Sequence, residues 1–300
     1  MDEGFHAKGI PLDVRARPAR GGLRAHGRDY AQKRGRRVGG VTLAFGVTLL
    51  ALGSAGAFVA GLLGAGGAFV MIPLLLYVPP LLGVGQLDIK EVAGVTMAQV
   101  LVAASAGMLA HRRHGAVSSG IVWAGGIAMA AASFVGALAS KYVSGRVLLF
   151  VFAVMVTTAA ALAFVGAGRD AARGDAPLTF SRLRVGAVAG TVGLAAGLVG
   201  AGGGFLLVPL LLVVADIPIR VTIGSSLAIT ALAAISGFTG KLVTDQIPLV
   251  PTLAVVAGAI PGARFGAAVS RRLPPFGLRV ALFGFVALTA IKVWADLLGY

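Results

Sequence analysis

The chain has no cysteine, so disulfides, thiolate metal ligands and thiol chemistry are excluded. Histidine is nearly as scarce, with His6 and His26 near the amino terminus and His111 and His114 in one short stretch. The His111/His114 spacing suits a metal, but no cysteine or carboxylate stands beside it, so no metal site is expected there. No serine or aspartate is placed with a histidine inside an apolar segment, so neither catalytic residues nor a cofactor is expected. No glycine-rich stretch ends in Gly-Lys-Ser/Thr, which removes a nucleotide-phosphate loop. Charge is also sparse: 12% of 300 residues, against roughly 25% in a soluble domain.

What the chain has instead is apolar length. Its mean hydropathy is +0.92 and 57% of its residues are hydrophobic, more than one soluble core would bury. Segments 41–61, 92–110, 117–140, 147–166, 247–269 and 278–295 each approach or exceed the roughly 20 residues that cross a bilayer. None shows the alternating ten-residue pattern of a membrane β-barrel. Helices satisfy their own backbone hydrogen bonds in lipid. The expected fold is therefore an all-α, multi-pass integral membrane protein, and its 45 glycines point to closely packed helices.

The net charge of +15 is concentrated before the first apolar segment, in Lys8, Arg15, Arg17, Arg20, Arg24, Arg28, Lys33, Arg34, Arg36 and Arg37. Nucleic acid is one partner such a tail suits, but positive charge flanking a first membrane helix holds that end in the cytoplasm, and this reading is preferred. The tail also suits contact with anionic lipid headgroups. Residues 1–40 are expected to be a disordered cytoplasmic tail, not a cleaved signal peptide, in a bacterial inner-membrane protein.

The rest of the chain is a duplication. Residues 60–76 read AGLLGAGGAFVMIPLLL and residues 196–212 read AGLVGAGGGFLLVPLLL, with twelve of seventeen positions identical. Beyond them Gly94 pairs with Gly224, Gly107 with Gly237, Gly136 with Gly266 and Ser140 with Ser270. The repeats are 41–166 and 184–300, joined by a polar linker, 167–183. In each, a first helix ends at a glycine cluster and a short apolar piece follows, Gly67 to Val78 or Gly203 to Ala215. Each piece is a half-helix of roughly 18–20 Å, too short to span; Pro79-Pro80 is expected to end the first. If the half-helices return to their own side there are eight spans. If they cross there are ten, and the repeats are inverted. Counting positive loops favours eight.

The glycine clusters carry the candidate chemistry: Gly64, Gly66 and Gly67 in the first repeat, Gly200, Gly202, Gly203 and Gly204 in the second. Each precedes a half-helix, so unpaired N–H groups and the positive dipole end face out of the break. That arrangement binds anions without a charged side chain. Tight helix packing is the competing reading. The twin prolines, Pro73 and Pro209, each six residues past the cluster, favour a site. Polar residues at membrane depth are further candidates: Thr96, Gln99, Ser225 and Ser226, with Ser105, Thr230 and Ser236 as other hydroxyls. Arg264 sits among Pro261, Gly262 and Gly266, either as a buried partner for an anion or snorkelling to the interface. Asp88, Lys90, Glu91, Asp216 and Arg220 are read as interfacial ion pairs.

These motifs resemble the TauE/SafE family, the sulfite exporters and sulfonate permeases. The carrying residues are the two Gly-Ala-Gly-Gly-X-Phe copies with their prolines, Ile223-Gly224-Ser225-Ser226-Leu227-Ala228, and its weaker counterpart Ala93-Gly94-Val95-Thr96-Met97-Ala98. The likeness covers nearly all of residues 41–297. It implies about eight membrane helices and movement of small sulfur-containing or organic anions. The expected activity is secondary transport by alternating access between the repeats, with a proton or sodium ion as the coupling partner and self-association left open. An anion channel and a non-transporting membrane subunit are the alternatives.

Overall fold

The computed structural model describes residues 42–63, 67–112, 118–169, 180–217, 219–270 and 275–298. The tail, Gly64, Gly66 and most of the linker lie outside the described residues. Ten α-helices and no strand are found among those described. The first half holds α1 (Leu43–Leu63), α2 (Ala68–Leu81), α3 (Ile89–Arg112), α4 (Ser119–Ala139) and α5 (Gly145–Arg169). The second holds α6 (Arg182–Val199), α7 (Gly204–Val213), α8 (Ile219–Val243), α9 (Leu249–Ser270) and α10 (Pro275–Leu298). Seven of them, α1, α3, α4, α5, α6, α8 and α9, are long and apolar enough to cross a membrane. The α10 helix has 24 residues, while α2 and α7 have 14 and 10. The molecule is an all-α, multi-span membrane protein.

Burial orders the bundle. In α3 and α8, 67% of the spanning window is buried, against 33–39% in the other five, so these two form its centre. Large apolar side chains such as Trp123, Ile127, Phe150, Leu253 and Ile291 are exposed, as a lipid-facing surface requires. Packing runs mostly between the halves: α1 on α9, α4 on α6, α3 on α8, α5 on α10. The half-helices follow suit, α2 against α10 and α7 against α5. Every one of these contacts has its counterpart when the halves are exchanged.

Glycine makes two of these seams. Gly258, Gly262 and Gly266 recur every four residues along α9, and a Cβ on each would overlap the carbonyl oxygens of Leu50, Ser54 and Phe58 on α1. On α6, Gly193 and Gly197 meet the Met129 and Ser133 carbonyls of α4 in the same way. Small residues at four-residue spacing let helices touch backbone to backbone. Ser54 Oγ adds a hydrogen bond to the Gly258 carbonyl at 2.9 Å.

The same contacts fix helix directions. Numbers rise together across both seams, so α1 runs parallel to α9 and α4 to α6. The start of α8 meets the start of α4, where the Ser118 N–H donates to Ser225 Oγ at 3.1 Å. The end of α8 meets the end of α4, where Lys241 Nζ donates to Ser140 Oγ at 2.6 Å. Hence α6 and α8 both run from the Ser118 end to the Ser140 end, and α7 carries the chain back between them. The start of α3 also lies at the Ser140 end, since Lys90 Nζ donates to the Lys141 carbonyl at 2.7 Å. So does the start of α9, just after Gln246, whose carbonyl faces Gly94. With α1 parallel to α9, α2 must carry the chain back as well. The directions match the inverted alternative, in which the half-helices carry the chain back, while the long helices, seven with α10 beside them, agree with the about eight expected.

Two local expectations are adjusted. Pro79 and Pro80 lie within α2, which ends one residue later at Leu81; each leaves one ladder bond unmade, and the Leu82 N–H closes the last turn on Val78 O at 3.0 Å. Glu91 caps α3, its Oε2 accepting the Asp88 N–H at 2.9 Å, in place of an ion pair with Lys90.

Candidate substrate site

Each half-helix starts at a glycine in the left-handed region: Gly67 with φ 68° and Gly203 with φ 74°. The Val70 and Met71 amides donate to the Gly67 carbonyl, and the Leu206 and Leu207 amides to that of Gly203. The earlier amides, Ala68 in the first and Gly204 and Phe205 in the second, have no intrahelical acceptor by position. In the second half the whole break is described. Gly200 closes α6 with φ 78°, its amide donating to Ala196 O at 2.8 Å, and Gly202 follows with φ 61°. Only glycine takes such angles in succession without strain. It also permits approach: a Cβ on Gly200 would overlap the Ala93 carbonyl of α3, and one on Gly202 would overlap Val100 and meet Thr230 of α8.

The two breaks converge. Phe69 and Phe205, the aromatic residues of the twin motifs, meet with ring centroids 5.7 Å apart. Gly200 and Gly202 pack on Ala93 and Val100 of α3, either side of Thr96 and Gln99 in the chain, and Gly202 also meets Thr230 of α8; Thr96, Gln99 and Thr230 are each fully buried. Thr96 Oγ1, Thr230 Oγ1 and both polar atoms of Gln99 have no protein hydrogen-bond partner. A buried polar group left unpaired costs roughly 1–3 kcal/mol, so these four atoms are candidates for contact with something polar. All three side chains carry an O–H or N–H, so the cluster can donate to oxygen atoms alongside the α7 amides.

The sequence-predicted residues divide. Gly200 and Gly202, with Gly203 and Gly204 next in the chain, pack on the stretch of α3 that carries Thr96 and Gln99, and Gly67 heads the opposing half-helix. Ser225 lies farther along, accepting from Ser118 N–H, and Ser226 Oγ donates to its own helix at Ile223 O, 3.0 Å. Both hydroxyls thus have partners within the protein. Arg264 is exposed on α9, so of its two readings the structure shows the outward-facing side chain. Gly64 and Gly66 lie outside the described residues. Of the other hydroxyls, Ser236 ties α8 to α4 through the Ala130 carbonyl at 2.8 Å, and Thr230 belongs with the orphaned cluster.

Lys241 is the polar residue that sequence reasoning missed. It is fully buried in α8. Its Nζ donates to Ser140 Oγ at 2.6 Å, Leu198 O at 3.0 Å and Gln246 Oε1 at 3.1 Å. Gln246 reaches it because Asp245 takes a left-handed φ of 58° and the Gln246 amide turns back to Lys241 O. The signal was there: a lysine inside a long apolar run is a functional candidate by the rule that selected Gln99.

Comparison with known proteins agrees with this architecture. The family model described as "Sulfite exporter TauE/SafE" matches residues 49–293. The chain is 30% identical over 267 residues to a "Probable membrane transporter protein" of Xylella fastidiosa (strain Temecula1), covering 83% of this chain and 97% of that one. It is 28% identical over 245 residues to the "Probable membrane transporter protein YunE" of Bacillus subtilis, covering 76% and 89%. No solved structure matches the chain.

Proposed function

The chain belongs to the TauE/SafE family of membrane transporters, and from that premise we propose that it is a secondary transporter of a small anion: sulfite, a sulfonate or a related sulfur-containing or organic anion. One observation carries the reading. Three buried side chains with no protein partner, Thr96, Gln99 and Thr230, stand beside the glycine break that opens the N-terminus of α7. Helix N-termini attract anions through free amides and the dipole. Donors such as these hydroxyls and the Gln99 amide select oxygen-bearing ligands without adding charge. The paired half-helices, running opposite to their neighbours, support alternating access around a site near mid-membrane. No nucleotide-binding motif occurs in the sequence, so energy comes from the substrate gradient or from a coupled proton or sodium ion. We place the protein in a bacterial inner membrane with its basic tail in the cytoplasm.

Counterflow tests the reading. Proteoliposomes loaded with unlabelled sulfite, sulfonate or carboxylate should accumulate the same labelled anion transiently. Saturable counterflow with one of these anions supports a transporter, and discrete single-channel currents instead would select a channel. No flux of any small anion would defeat both.

A further inference from the structure

Lys241 stands apart from the Thr96–Gln99–Thr230 cluster. It lies eleven residues beyond Thr230 on α8, roughly 16 Å along a helix, towards the Ser140 end of the bundle. Between them Gly237 packs on Met97, the neighbour of Thr96. Lys241 lies where the ends of α4, α6 and α8 converge.

The hydrogen bonds around it fit an ammonium. Its three N–H donors meet three acceptors, Ser140 Oγ, Leu198 O and Gln246 Oε1, the full inventory of a protonated lysine. Ser140 Oγ has one proton of its own and two acceptors within reach, the Ala137 carbonyl at 2.6 Å and Gln246 Oε1 at 3.0 Å. The Gln246 amide donates to Thr244 Oγ1 at 2.6 Å, turning its oxygen to the lysine. All three acceptors are neutral. The charge acting on Lys241 from neighbouring α3 is Lys90, of like sign. Among the described residues the site therefore offers an ammonium three neutral oxygens and no carboxylate. Buried charges are normally paired, and structural braces do not need the charge.

Resting on the transport reading above, we propose that Lys241 is a second anion station, between the central cluster and the Ser140 end. A small oxyanion takes the place of Ser140 Oγ and Gln246 Oε1 on the ammonium as it enters or leaves. The two neutral oxygens hold the lysine between passages. Both sit on side chains, so rotamer changes release them without unfolding a helix, while the Leu198 carbonyl keeps the ammonium beside the glycine break two residues on.

The test is uptake kinetics in proteoliposomes, using whichever of sulfite, a sulfonate or a carboxylate the unsubstituted protein carries. Lys241→Gln should raise KM on the order of tenfold or more, the loss of a charge-assisted contact, while Lys241→Arg stays within about threefold. Gln246→Leu removes a competitor for the ammonium and should leave KM unchanged or lower it. The opposite pattern, with Gln246→Leu raising KM as much as Lys241→Gln and no rescue by arginine, would make the cluster a brace and overturn the proposal. Should Lys241→Gln fail to fold, the direction of the Gln246→Leu shift still decides. If the unsubstituted protein carries and binds no small anion, the transport reading itself falls and this inference with it. Transport that is normal and unaffected by Lys241→Gln removes this inference alone.

Discussion

Gln99 buries an amide whose oxygen and nitrogen both lack a protein partner. On the proposed transport reading such a residue trades stability for binding, because its unpaired atoms cost free energy until a ligand meets them. Gln99→Leu should therefore leave the fold intact or raise its stability by about 1 kcal/mol. The same variant should weaken the anion-dependent rise in melting temperature on the order of tenfold in ligand concentration. A fall in stability with unchanged anion response would remove Gln99 from the site. Gly202 faces a different constraint, having φ 61° and a Cβ position overlapping Val100. Gly202→Ala should cost more than about 2 kcal/mol, from the left-handed backbone and the clash together. Adding Val100→Ala should recover the clash and leave the backbone part, a split that denaturation of the single and double variants measures.

Among the elements, the α1–α9 and α4–α6 seams hold the halves together through backbone contact, where lipid supplies no hydrophobic drive between helices. Position along a helix then matters more than residue type. Gly262→Leu drives a side chain into the Ser54 carbonyl and should cost several kcal/mol, in the range of severe packing defects. It should show as loss of monodisperse protein in detergent. Gly190 on α6 has nothing within 4 Å of the place a methyl group would occupy, so Gly190→Ala should change stability by less than about 0.5 kcal/mol. Similar losses in both variants would contradict the seam. The half-helices are set by a simpler rule. A glycine break unpairs the amides, a run of 10 or 14 residues is too short to cross fully, and the flanking long helices dictate its direction.

For the whole molecule, helix directions put the starts of α1, α3, α5 and α9 at the Ser140 end, together with the end of α10, where Arg146 donates to Leu297 O at 3.0 Å. The chain has no cysteine, so single introduced thiols report topology without background. Ser119→Cys and Ser144→Cys, both exposed, should react with an impermeant maleimide from opposite sides of the membrane, Ser144→Cys from the cytoplasmic side. Labelling of both from one side would contradict the directions. Labelling from reversed sides would keep the fold and invert its orientation. The sequence by itself determined the class, because apolar length and sparse charge leave a chain no alternative to membrane helices, and it located the glycine breaks, because backbone angles closed to other residues are written as glycine. Thr96 and Gln99 were legible for the same reason: polar atoms in an apolar run stand out whatever surrounds them. Only the tertiary structure decided that Ser225 and Ser226 have protein partners, that Arg264 is exposed, and that Thr230, like Thr96 and Gln99, is buried without one. It alone placed Lys241 among three neutral oxygens from α4, α6 and the turn after α8. Those outcomes depend on which residues distant in sequence arrive at one point, and on helix direction, which local composition does not encode.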